Sequence, residues 1–136
     1  MIRLAFVVVA LALACGTASA QPKIEKGAIK PVPASDAQKM FDTYCAVCHG
    51  KEGKGNGPAA QSLKKAPADL TKISERNAGS FPEVRVKRYI EGLDEVAAHG
   101  TRDMPMWGGL FSSLDRDTTQ IRIQGLSDYL KGIQTK

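Results

Sequence analysis

Cys45, Cys48 and His49 stand in one stretch, Cys45-Ala46-Val47-Cys48-His49. Two cysteines three apart, followed at once by a histidine, form the attachment signature of a c-type haem. On a helix, residues three and four apart share a face. Cys45 and Cys48 can therefore reach the two vinyl groups of one haem from the same side and form thioether bonds. His49 lies on that face too, and its imidazole can become the proximal iron ligand. Two other readings of the cysteines are weaker. A thioredoxin-like dithiol needs a βαβ pattern around it, and no strand pattern is present. A structural zinc site needs four ligands, and the rest of the chain offers only Cys15 and His99.

A proximal histidine usually donates its second ring N–H to a carbonyl or carboxylate. The carbonyl of Pro58 is well placed in sequence to accept it. Gly50 to Pro58 holds four glycines and the proline in nine residues, a composition that excludes regular structure. Its glycines let backbone approach a haem edge closely. The phosphate-binding pattern GxxxxGK[ST] is absent. The second informative stretch runs from His99 to Gly109, His-Gly-Thr-Arg-Asp-Met-Pro-Met-Trp-Gly-Gly. It lacks helical periodicity and can carry a thioether to the other face of the iron. Met104, Met106 and His99 are the candidates.

Helices must position these groups. Ser35 or Asp36 can cap a first helix over residues 36–48, with Met40, Phe41 and Tyr44 as its apolar stripe. Ala59 to Lys65 suits a short turn, and Leu70 points inward from an ordered loop. Pro82 opens a helix capped by Ser80, with Val86, Tyr89, Ile90 and Leu93 on one face and Gly92 as its stop. A last helix runs from Asp115 or Thr118 to about Lys131, its Ile121, Leu126, Tyr129 and Leu130 packing back on the first.

The chain has 136 residues, the size of one domain. Arg3, the apolar run Leu4–Ala14 and Ala18-Ser19-Ala20 have the layout of a secretory signal peptide, so residues 1–20 are expected to be removed. That run falls short of the ~20 residues a transmembrane helix needs, and no span is expected in the mature chain. Lipid anchoring at Cys15 is the alternative. Residues 21–34, with Pro22, Pro31 and Pro33, read as a flexible leader, and residues 35–136 as the domain. The expected location is the periplasm. Without disulfides, a small exported domain needs another staple, and covalent haem serves. Aromatic residues make up only 6% of the chain, which fits a core partly filled by a cofactor.

The net charge is +5, of which Arg3 leaves with the signal. Much of the rest clusters near the haem motif, at Lys51, Lys54, Lys64, Lys65, Lys72, Arg85, Lys87 and Arg88. A basic surface speeds encounter with acidic partners. No nucleic-acid module is recognisable.

With these residues in view, the sequence resembles class I c-type cytochromes over nearly all of residues 36–133. The likeness rests on Cys45-Ala46-Val47-Cys48-His49-Gly50, Gly57-Pro58, Met104-Pro105-Met106-Trp107 and the helices at both ends. It implies an all-α cytochrome c fold, N- and C-terminal helices packed around one covalently bound haem c with glycine-rich loops. It favours Met104, directly before proline, as distal ligand to the iron held by His49. It implies a periplasmic monohaem carrier passing single electrons between redox partners (a dehydrogenase, an oxidase or another cytochrome) rather than an enzyme, free or as a subunit of such a complex, with an acidic surface on the partner. The second class is a haem enzyme or gas-binding protein with a labile distal ligand, for which His99 and Arg102 flank the loop.

Overall fold

A computed structural model describes residues 31–93 and 104–135. The described residues are helical and contain no strand. The first helix has three parts: α1 (Ala37–Met40), a π-helical turn (Phe41–Cys45) and α2 (Ala46–His49). The Asp36 side chain caps its start by accepting from Lys39 N at 2.9 Å. The π-turn is marked by the Ala46 N–H, which reaches back five residues to the Phe41 carbonyl. Three short 3₁₀ turns follow, at Ala60–Ser62, Leu70–Lys72 and Glu75–Asn77. Then come α3 (Glu83–Glu91), α4 (Trp107–Leu114) and α5 (Thr119–Gly132).

Helix α5 packs against α1, α3 and α4. Met40, Phe41, Tyr44, Val86, Ile90, Phe111, Ile123, Leu126 and Leu130 form the core. Phe41 and Tyr129 join the first and last helices. Tyr44 joins the first helix to α4, with ring centroids 5.6 Å from both Trp107 and Phe111. Gly92 ends α3 with φ +83°, a conformation that costs glycine little.

Four expectations change. Gly108 and Gly109 lie inside α4 rather than in a loop, because burial of Phe111 outweighs their poor helix propensity. Ile121 and Leu93 are 56% and 60% exposed. On α5 the buried positions instead include Arg122 and Ser127. Arg122 donates to the Val32 carbonyl and to Thr118 Oγ1, so its charge is buried with its hydrogen bonds made. Val32, assigned to the leader from sequence, is buried in the core and its N–H faces the Tyr44 hydroxyl at 3.4 Å. Ser80 does not cap α3, whose N-cap is Pro82. His99 lies outside the described residues.

Candidate functional site

A helix leaves its last four carbonyls without intrahelical partners. Here those carbonyls belong to the Cys45–His49 motif, and the glycine-rich loop that follows satisfies them. Gly50 N donates to Ala46 O (2.9 Å), Ala59 N to Val47 O (2.9 Å), Gly57 N to Cys48 O (3.0 Å) and Gly55 N to His49 O (2.7 Å). The loop thus folds back over the helix end. Gly57 comes so close that a Cβ there would lie 2.5 Å from the Ala46 and Val47 carbonyl oxygens. Only a residue without a side chain fits.

The same loop organises the next segment. Leu70 N donates to Gly53 O at 2.6 Å, and Gly55, at φ +79°, lies against the Pro67 carbonyl. Ala68 is thereby held with its carbonyl 3.0 Å from His49 Nδ1. A carbonyl only accepts, so Nδ1 carries the proton and Nε2 presents a lone pair. Pro58 had been expected to supply this carbonyl; in this structure Ala68 does. Sequence reasoning missed Ala68 because any residue brings a carbonyl and no side chain marks the one used. Burial holds the His49 imidazole below its ordinary pKa, and the bond to Ala68 partly offsets that.

Cys45 and Cys48 are half-buried free thiols one turn apart. Burial, and secondarily the neighbouring Cys48, push the Cys45 thiol up to about 12. A thiol so disposed is a poor nucleophile and a poor thiolate ligand, whereas a thioether carries no charge to desolvate. Among the described residues, no three His, Cys, Asp or Glu side chains are grouped to hold a metal ion.

Met104 and Met106 are 39% and 59% exposed. Trp107, three residues after Met104, stacks on Phe111 at 6.2 Å and leans on Tyr44, the residue before Cys45. The methionine segment and the cysteine motif are thus connected through two aromatic rings. Leu70, Ile73, Phe81 and Trp107 are partly buried apolar side chains packed against the core. The half-buried thiols and the Nε2 lone pair fit a group that needs two thioethers and one imidazole.

No helix among the described residues is long and apolar enough to cross a membrane. Neither the curated proteins nor the solved structures contain a match to the chain. The family model described as cytochrome c oxidase, cbb3-type, subunit III matches residues 32–121, well over half of the sequence. The match begins at Val32, the first of the described residues to be buried in the core. The chain belongs to this family of c-type cytochromes, whose members carry covalent haem c and work in electron transfer.

Proposed function

We propose that the chain is an exported monohaem cytochrome that relays single electrons, with Cys45 and Cys48 as its thioether tethers, His49 as proximal ligand and Met104 as distal ligand. The observation that carries this reading is the helix end at His49. There two thiols and an imidazole with its Nδ1 proton engaged share one turn held by four loop hydrogen bonds. When bound, haem c supplies a one-electron iron couple.

The protein's residues do the rest. Ala68 fixes the tautomer and orientation of His49, as partners of ligating histidines do. Met104 supplies a neutral thioether, which favours the ferrous state and raises the potential relative to a second imidazole. With His49 and Met104 both holding the iron, the site would exchange electrons and leave no place for substrate. Residues 1–20 direct export to the periplasm, with residues 35–136 and the strap at Val32 as the domain. The family's description favours an oxidase complex as the electron acceptor, met through an acidic surface.

The visible spectrum of the exported, reduced protein with and without carbon monoxide tests this. A sharp c-type band indifferent to carbon monoxide is expected. A band that shifts would favour the second class, a haem enzyme or gas-binding protein. Absence of any haem band in a host able to attach haem would overturn the reading.

A further inference from the structure

The segment that carries Met104 is bracketed by two contacts with the end of α3. At the first, Gly92 faces Met106. A Cβ on Gly92 would lie 2.6 Å from Met106 Cγ, 2.8 Å from its Cβ and 3.2 Å from its Cα. At the second, Gly108 faces Glu91. A Cβ on Gly108 would lie 2.9 Å from the Glu91 carbonyl oxygen and 3.2 Å from its Cα. Real Cβ atoms do not sit so close, and most of the opposing atoms are backbone or lie at the root of a side chain, so they cannot swing aside. Both glycines are therefore there for proximity. Gly92 also adopts φ +83°, which an L side chain resists.

These contacts act on one object. Residues 91–92 precede the methionine segment, residues 106–108 follow Met104 by two to four positions, and the contacts bring the two together. The Trp107 side chain is fixed from the other side by Tyr44 and Phe111. Met106, though exposed, has its Cα, Cβ and Cγ laid close over Gly92.

We propose that Gly92 and Gly108 are positioning residues for the distal ligand: their missing side chains seat Met106 and the first turn of α4 on the end of α3 and so fix the approach of the Met104 thioether. This rests on the His49/Met104 reading above. A group displaced by about 1 Å can cost a hundredfold in function, and a ligand bond is at least as sensitive to reach.

The test compares the exported holoprotein with its Gly92→Ala, Gly108→Ala and Gly79→Ala variants. Gly79 is the control: it has φ +83° like Gly92, but a Cβ there meets nothing within 4 Å. The readouts are the methionine-to-iron charge-transfer band of the oxidised protein, its reduction potential, and carbon monoxide binding by the reduced protein. Gly92→Ala and Gly108→Ala are expected to lose at least half of the charge-transfer band, to lower the potential, and to bind carbon monoxide in a matching fraction. Gly79→Ala is expected to match the unmodified protein in all three. A band retained in full by Gly92→Ala and Gly108→Ala overturns the proposal, as does equal loss in Gly79→Ala. If Gly92→Ala does not accumulate, Gly108→Ala decides alone, since it carries no left-handed strain. Absence of the band from the unmodified protein would instead refute methionine ligation itself.

Discussion

The rings of Phe41 and Tyr129 lie 5.0 Å apart, centroid to centroid, with planes inclined by 39°. This pair is where the first helix meets the last, four residues before Cys45. Phe41 is fully buried, and it sits at the first position of the π-turn. Its replacement by alanine removes both the packing and the ring pair. We expect Phe41→Ala to destabilise the protein by about 3–5 kcal/mol. Denaturant unfolding of the holoprotein measures it; a loss below about 1 kcal/mol would mean that the helix pairing is held elsewhere.

Gly57 approaches the Ala46, Val47 and Cys48 backbone so closely that a methyl group must push the loop away. The bonds at risk are those from Gly57 N and Ala59 N to the Cys48 and Val47 carbonyls. Gly57→Ala is expected to lower the yield of covalently attached haem in the exported protein severalfold. Gly109→Ala, which meets nothing within 4 Å, should leave the yield unchanged. Haem per polypeptide, read from absorbance and mass, decides. Equal yields for the two variants would remove the loop from haem attachment.

Some of this arrangement is legible in the sequence because it rests on side chains at fixed spacing. Cys45, Cys48 and His49 must share a turn, Val86 and Ile90 must share a face, and Gly92 must end α3; each reads directly. The remainder depends on backbone paths that leave no such mark. The π-turn is a hydrogen-bond shift with no residue signature. The Ala68 carbonyl is chosen by the route of the loop through Gly53 and Gly55. Val32, between two prolines, is too isolated to show periodicity, yet Arg122 and Tyr44 bind its backbone. On α5 the expected inward Ile121 yields to Arg122, because the long arginine stem packs as an apolar group while its head finds the Val32 carbonyl.

Ser127 is fully buried, and its hydroxyl has no hydrogen-bond partner among the described residues. A buried polar atom left unpaired costs about 1–3 kcal/mol. Alanine removes the hydroxyl and suits a helix interior better. Ser127→Ala is therefore expected to stabilise the protein by about 1 kcal/mol, seen as a rise in Tm. A clear fall in Tm would show that the hydroxyl has a partner in solution.

Glu83 ties α3 to α5. Its carboxylate accepts from Gln124 Nε2 at 3.2 Å and from Lys87 Nζ at 3.1 Å. The hydrogen bond from Gln124, then the bond and charge of Lys87, hold it below its ordinary value of 4.5. A carboxyl whose folded pKa is depressed contributes stability above its unfolded value and loses it as pH falls through the folded one. Glu83 is only partly buried, so the contribution is modest and screened by salt. Stability curves of the unmodified protein and of Glu83→Gln should converge between about pH 5 and pH 3, with the unmodified protein losing more. Curves that stay parallel across that window would show that Glu83 gains nothing from its partners.

The basic run near the haem motif is partly neutralised within the fold. Lys54 pairs with Glu52 at 2.6 Å, Lys72 with Glu75 at 3.7 Å and Lys87 with Glu83 at 3.1 Å. Lys51, Lys64 and Lys65 make no ion pair among the described residues. Lys51 follows Gly50 at the end of the motif helix, and Lys64 and Lys65 follow the 3₁₀ turn that packs on it. Val47, on the same helix, is 49% exposed. The field that steers an acidic partner should therefore come from these three lysines. Small anionic and cationic metal-complex oxidants report that field at the redox centre. Reversal of all three to glutamate should slow oxidation by the anionic complex about tenfold at low salt and speed oxidation by the cationic one. The difference should fade near 1 M salt, where the Debye length is about 3 Å. Reversal of Lys72 alone, a third of that charge change, should change the ratio less. If the triple reversal leaves the ratio of the two rates unchanged, the redox centre is reached through another face and the acidic docking partner falls with it.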